Sequence, residues 1–300
     1  MIEVFFIGTG AAIPSKSRGH TTIAIRRMGD IFLFDCGENT QRRLVQEGIS
    51  PMRIEKVFVT HLHTDHVAGL FPLPETMYLL KRERPLAIYG PRGIERFGET
   101  LKRFQNFDLG YGVSFHEIPN KKSVVVEADD YRISAVPVRH GLPSLGYSFE
   151  EKERLKFLEE KAMKMGVGPG PQRGKLVAKK NISVNGKTIN WQDVTKLVPG
   201  KKVVISGDTV PCEEIEKLAK GADLLIHEAT FGNDRAEKAG DFHHSTAEGA
   251  ARLAKKAGVK KLALIHFSPR YKDTDTLLNE AKEIFPNTVA TKDGMKLIVK

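Results

Sequence analysis

The chain has 300 residues, with 47 Lys+Arg against 37 Asp+Glu and a formal net charge of +10. At 40% hydrophobic and 28% charged residues it can bury a core, which excludes a disordered chain; its length suits one large domain or two smaller ones. No apolar run approaches the ~18 residues of a membrane span. Met1-Ile2-Glu3 puts an acid where a signal peptide is basic, and Cys36 and Cys212 are too few for a disulfide framework. The expectation is a cytoplasmic protein with no membrane partner.

The dominant pattern is a short apolar run that stops at a polar, ligand-type residue. Val57 to Thr60 runs into His61, and Ile133 to Val138 leads to His140. Val203 to Ile205 leads to Gly207-Asp208, Leu224 to Ile226 to His227-Glu228, and Leu262 to Ile265 to His266. Runs of this length and composition predict buried strands. Segments 92–105 and 274–285 carry a helical pattern. Ser245-Thr246-Ala247-Glu248 has the form of a capping box before a helix that Gly258 stops. Strands alternating with helices imply an α/β protein with helices layered outside sheet.

Two further features stand out. Residues 54–61 echo 259–266, terminal His included, as two similar halves facing each other would require and as two ordinary strands of like composition would also give. Residues 147–200 are rich in Lys and Glu around Gly168-Pro169-Gly170-Pro171, a stretch that neither continues a helix nor pairs in a central strand. A loop this long inside a domain points to a projecting arm with a task of its own.

His61-Leu62-His63-Thr64-Asp65-His66 carries the chemistry. In extended backbone, residues i and i+2 point the same way, so His61 and His63 can hold one ion, while Asp65 and His66 face a second as the chain turns. The remaining ligands come from other strand ends, which gather on one edge of an α/β sheet. Site one is assigned as His61, His63, His140 and Asp208; site two is Asp65, His66, Asp208 and His266, with the Asp208 carboxylate as the bridge. His/Asp ligation without thiolate suits two Zn²⁺ per chain, and Mn²⁺ or Fe²⁺ fits the donors as well. Two such dications bring a water between them toward a pKa of ~7 and neutralise phosphate oxygens, with Asp65 placed to orient or deprotonate that water. His244 is the candidate donor of a proton to the leaving oxygen, its ring held by Glu228.

These residues resemble the metallo-β-lactamase superfamily, through His61-x-His63-x-Asp65-His66 with His140, Asp208 and His266. More narrowly they resemble the ribonuclease Z family of tRNA 3′-processing endonucleases. That match adds Phe6-Ile7-Gly8-Thr9-Gly10, Asp35-Cys36-Gly37-Glu38, Ser206-Gly207-Asp208-Thr209, His227-Glu228-Ala229-Thr230 and His244-Ser245-Thr246, and it spans nearly the whole chain. The resemblance implies a four-layered αβ/βα sandwich over residues 1–300, with an inserted substrate-binding arm at 150–197. It implies a di-zinc site, a homodimer, and removal of the 3′ trailer from precursor tRNA to leave a 3′-hydroxyl. Asp65 would then be the proton acceptor, the Glu228–His244 pair would assist the leaving group, and the Gly-Pro stretch would lie on the arm that grips the tRNA. Thr64 and Asn39 stand where that family commonly has Gly, and Arg18-Gly19-His20 also departs from its wording.

Two rivals remain at this point. One is a hydrolase of small substrates on the same fold, such as a thioesterase or a cyclic-nucleotide phosphodiesterase. The other is a nucleic-acid-binding protein without catalysis, disfavoured because a buried His/Asp cluster is costly to keep without metal. The +10 balance suits a phosphate backbone, whose binding is electrostatic, and would be idle on a small substrate.

Overall fold

The structure, a computed structural model, describes residues 1–105 and 109–300. Its strands in chain order are β1 (Ile2–Gly8), β2 (Thr22–Arg27), β3 (Asp30–Phe34), β4 (Ile54–Phe58), β5 (Leu86–Gly90), β6 (Val113–Glu117), β7 (Ser123–Glu127), β8 (Tyr131–Val138) and β9 (Ser144–Glu151). There follow β10 (Arg154–Phe157), β11 (Ile182–Val184), β12 (Lys187–Ile189), β13 (Thr195–Val198), β14 (Lys202–Ile205), β15 (Leu224–Glu228), β16 (Leu262–Ile265), β17 (Thr288–Ala290) and β18 (Met295–Val299). The chain divides into two compact units. One comprises Met1–Glu127, Arg132–Phe149 and Lys201–Lys300; the other comprises Ala128–Tyr131 and Glu150–Gly200.

The larger unit is built on two seven-stranded sheets, ordered β18-β1-β2-β3-β4-β5-β6 and β17-β16-β15-β14-β9-β8-β7. In the first sheet β3 through β6 run parallel, and in the second β14 through β17 do, so each sheet presents a row of strand C-termini. The runs that stop at His61, Asp208, Glu228 and His266 are strands of these rows. The echo between 54–61 and 259–266 corresponds to β4 and β16, one internal parallel strand in each sheet.

Aromatic side chains join the inner faces. Phe34 and Phe58 both meet Tyr147, with ring centroids 5.7 Å apart in each case, and Phe32 meets Phe149 at 5.1 Å. Such pairs contribute roughly 0.5–1.5 kcal/mol each beyond the area they bury. The Tyr147 hydroxyl, wholly buried, donates to the Val59 carbonyl at 2.6 Å and so ties the second sheet to the end of β4, two residues before His61. Outer faces are covered by helices. Leu73, Met77 and Ile94 from helices Pro72–Leu79 and Ile94–Gln105 pack on one sheet; Ala250, Leu253, Ala254 and Leu277 from helices Ala247–Ala257 and Asp275–Ile284 pack on the other. The order of layers is therefore αβ/βα.

One local expectation is corrected. The helix after His244 is capped by Thr246, whose hydroxyl accepts from Gly249 N at 3.0 Å, and not by Ser245 with Glu248. Ser245 is instead buried, donating to the Thr209 carbonyl at 2.6 Å, and Glu248 pairs with Arg252 one turn along. Its Gly258 stop, at φ 64°, is as the sequence predicts.

The smaller unit is a folded body rather than an irregular loop. Helices Glu159–Lys164 and Pro171–Val177, the β11–β12 hairpin and the β10–β13 pair enclose a small core of Ala162, Val167, Leu176, Ile182, Ile189 and Val194. Pro171 does not break structure here: it is the first residue of its helix, where its missing N–H costs nothing. Trp191 packs against that core. From Lys161 to Gln192 the sequence has seven basic side chains and no acid; Lys161, Lys164, Lys175, Lys179, Lys180 and Lys187 are all exposed.

Candidate metal centre

Three turns in left-handed backbone aim the site. His63 caps the short helix Thr64–Val67 in extended conformation, so His61 and His63 leave β4 on one side while Asp65 and His66 turn to the other. Asp35 (φ 60°), His243 (φ 56°) and His266 (φ 62°) each hold a conformation rare for a residue with a side chain, the kind of strain that folds keep at functional sites. Gly207 precedes Asp208 at φ 64°, and a Cβ there would come within 2.8 Å of the Leu145 carbonyl, so only glycine lets Asp208 approach. Asn39, at φ 69°, explains why glycine suits that position; asparagine is among the side chains that best tolerate it. Thr64 sits in ordinary helical backbone and needs no glycine.

All seven expected donors converge. His61 Nε2 lies 3.0 Å from His63 Nδ1, which lies 3.3 Å from His140 Nε2. On the other side His66 Nε2 and His266 Nε2 are 3.3 Å apart, and Asp65 Oδ2 is 3.6 Å from both. Asp208 Oδ2 stands between the groups, 3.1 Å from His266 Nε2, 3.4 Å from His66 Nε2 and 3.7 Å from His61 Nε2. Donors around a tetrahedral ion with bonds of about 2.0–2.2 Å must lie roughly 3.3–3.6 Å from one another. The observed spacings centre on that range.

Hydrogen bonds on the far side of each ring point the lone pairs inward. His66 Nδ1 donates to Asp35 Oδ2 at 2.7 Å, and His140 Nδ1 to the His243 carbonyl at 3.1 Å. Thr60 Oγ1 gives its own proton to Asp35 and Thr230 Oγ1 gives its own to Glu228, so these hydroxyls accept from His61 Nδ1 at 3.0 Å and His266 Nδ1 at 2.9 Å. Each of the four rings therefore engages a partner through Nδ1 and turns its Nε2 to the centre, the orientation a metal needs. Burial, reinforced by the charge of His66, holds His61 well below the ordinary histidine range; burial also lowers His63 and His140. Burial alone would raise Asp208, but His266 and His66 outweigh it and keep the carboxylate ionised. The residues fit a pair of divalent cations. His61 and His66 are wholly buried while His63 is exposed, so the centre opens to solvent on one side.

Glu228 and His244 adjoin the centre. Glu228, buried at the end of β15, accepts from Thr209 N at 2.9 Å, Thr230 N at 3.2 Å and Thr230 Oγ1 at 2.6 Å, and its Oε1 lies 2.8 Å from His244 Nδ1. Burial pushes His244 down, yet the adjacent Glu228 carboxylate lifts it to about 9. His244 is delivered by a Schellman turn closing helix Ala236–Asp241: its N–H bonds the Ala239 carbonyl at 2.7 Å and the His243 N–H bonds the Gly240 carbonyl at 3.1 Å.

Residues with no role assigned from the sequence complete the arrangement: Asp35, Thr60, Thr230 and the His243 carbonyl. Asp35 and Thr230 lie within motifs visible in the sequence, but which ring each one holds depends on strands that meet only in the fold. Ala12 N, just past the Phe6–Gly10 stretch, donates to Asp65 Oδ2 at 2.8 Å. Cys36 and Cys212 are buried and free; burial pushes the Cys36 thiol up to about 12.

Comparison with known proteins agrees with this geometry. Residues 2–155 match the family model described as Anti-Pycsar protein Apyc1, and residues 181–267 match the Beta-lactamase superfamily domain. The first match ends before Asp208, Glu228, His244 and His266. Several relatives similar over the full length are ribonucleases Z. Ribonuclease Z of Methanothermobacter thermautotrophicus is 46% identical over 301 residues, covering 100% of this chain and 97% of that protein. Ribonuclease Z of Bacillus licheniformis is 42% identical, covering 97% of each. The crystal structure of human tRNase Z, short form, aligns with a TM-score of 0.74 at 29% identity, covering 99% of both chains. On its full-length similarity and its site together, the chain belongs to the ribonuclease Z family, nuclease hydrolases on the metallo-β-lactamase fold.

Proposed function

We propose that the chain is a zinc-dependent endoribonuclease that removes the 3′ trailer from precursor tRNA by two-metal phosphodiester hydrolysis and leaves a 3′-hydroxyl on the tRNA. The observation that carries this reading is the convergence of seven donors from four separate segments with the Glu228–His244 pair beside them. His61, His63, His140 and Asp208 would hold one ion; Asp65, His66, Asp208 and His266 would hold the other. When bound, the ions supply positive charge to the phosphate oxygens and acidify a water.

The side chains do the rest. Asp65, fixed by Ala12 N, is placed to orient the attacking water and take its proton. His244 is the donor to the leaving O3′, and Glu228 holds its ring with Nε2 free. Three further hydrogen bonds anchor the Glu228 carboxylate that orients the His244 ring.

The smaller unit supports an RNA substrate. Its acid-free run of exposed lysines suits a phosphate backbone, and an A-form stem is read by shape and charge rather than by base edges. We assign residues 150–197 as the substrate-binding arm. The homodimer rests on the family resemblance. No described helix is long and apolar enough to cross a membrane, and a precursor-tRNA substrate agrees with a cytoplasmic setting.

Incubation with a 3′-extended tRNA transcript, with the cut mapped, tests the reading. Cleavage just after the last tRNA nucleotide, giving a 3′-hydroxyl end, is expected. Hydrolysis of a chromogenic phosphodiester with no action on the RNA would reject it in favour of a small-substrate phosphodiesterase.

A further inference from the structure

The cleft at the metal centre has an apolar side. A cavity of about 290 Å³ bordered by His63, His140, His244 and His266 continues onto Ile13 and Phe242. Both are large apolar side chains left open, Ile13 65% and Phe242 61% exposed. A phosphate backbone has no use for such a surface; the flat face of an unpaired base does.

The position of Phe242 is set by the turn that sets His244. Phe242 ends helix Ala236–Asp241, with its N–H on the Lys238 carbonyl at 3.0 Å. Two residues on, His244 is held by the Schellman bonds and by Glu228, and between them the His243 carbonyl accepts from His140 Nδ1. Phe242 therefore stands at a fixed offset from the proton donor. On the reading of the previous section, that donor serves the O3′ of the last tRNA nucleotide, so the base carried by the same ribose is the one within reach. A base inside the acceptor stem has both faces covered by its neighbours. The nucleotide at its single-stranded end does not.

We propose that Phe242 is the stacking platform for the nucleobase immediately 5′ of the scissile phosphate, in a slot that Ile13 also lines. The slot accepts any base, because every base has a π face, and it sets where the chain lies rather than which sequence is cut.

The test pairs Phe242→Ala with an abasic site in the RNA. On the normal 3′-extended transcript Phe242→Ala should lower single-turnover kcat/KM by roughly 5- to 150-fold, the span of base–aromatic stacking, and Phe242→Tyr should restore most of it. With the last tRNA nucleotide made abasic, the unmodified protein should lose a similar factor and Phe242→Ala should lose little more. With the first trailer nucleotide made abasic, the Phe242→Ala penalty should persist in full. A penalty undiminished on the first abasic RNA, or abolished only on the second, overturns the assignment. Failure of the unmodified protein to cut the normal transcript overturns the nuclease reading itself, and the platform with it.

Discussion

Asp35 and His66 lie 31 positions apart, and in the fold Asp35 Oδ2 accepts from His66 Nδ1 at 2.7 Å, both side chains almost wholly buried. The same carboxylate takes the Thr60 N–H at 2.7 Å and the Thr60 hydroxyl at 2.9 Å. One acid thus holds one metal-facing ring directly and a second, His61, through Thr60. Asp35→Asn replaces an acceptor by a group that donates from one side, so it should weaken metal affinity by about 10- to 100-fold. Competition with a calibrated zinc chelator measures this, and unchanged affinity would show that the carboxylate does not orient the ligands.

Removal of the ions should abolish cleavage and also lower stability. An ion that binds only the folded chain contributes RT ln(1 + [L]/Kd), about 4 kcal/mol at a thousandfold excess over Kd. Melting of the chelator-treated protein with and without added Zn²⁺ should show a higher midpoint with the ion. Elemental analysis should find two ions per chain, and His61→Ala should hold fewer.

Asp65→Ala should reduce RNA cleavage by roughly 10²- to 10⁴-fold, the range for loss of a positioned acid or base, while tRNA binding persists. Single-turnover kinetics beside a filter-binding titration separates the two effects. Lost binding with an intact rate in the bound complex would contradict the role.

His244→Ala should cost a similar factor on RNA, whose leaving alkoxide needs a proton. The loss should shrink on a p-nitrophenyl phosphodiester, whose leaving group departs unprotonated. Equal losses on both substrates would mean that His244 does not deliver that proton.

Charge on the smaller unit should show in salt dependence. Replacing Lys175, Lys179 and Lys180 by Ala should weaken tRNA binding and flatten the plot of log K against log salt, by up to about 0.7–0.9 per phosphate contact removed. An identical slope would place the RNA elsewhere.

Glu3 offers a pH test remote from the site. It pairs with Arg26 at 2.6 Å and Lys296 at 2.9 Å across β2, β1 and β18, and these hydrogen bonds lower its pKa from 4.5 to about 2. A lowered folded-state pKa means the stabilisation is complete above pH 4.5 and is lost as the pH falls through 2. Glu3→Gln should destabilise by roughly 0.5–1 kcal/mol near neutral pH, as for a surface pair. The difference from the unmodified protein in urea unfolding should diminish steadily below pH 4.5.

Much of this molecule was legible before any coordinates. The runs ending at His61, Asp208 and His266 announce parallel strands, because buried strands demand unbroken apolar stretches and a polar residue can follow only where the strand leaves the sheet. Four donors within His61–His66 announce the metal, because i and i+2 side chains share a side in extended backbone. Precursor tRNA came through likeness to a family; charge and spacing alone point no further than a polyanion. The segment around Gly168–Pro171 looks structureless in sequence, yet six small apolar side chains spread over 33 residues enclose a core there. Such sparse spacing leaves no local period to read.

Tertiary structure alone decided which ring each partner holds. His66 with Asp35, His266 with Thr230 and His140 with the His243 carbonyl are contacts between segments 31, 36 and 103 residues apart. A hydrogen bond depends on distances of a few tenths of an ångström, and local sequence carries no such information about distant strands. The residue types were written in the chain; their protonation and aim exist only once the two sheets are packed together.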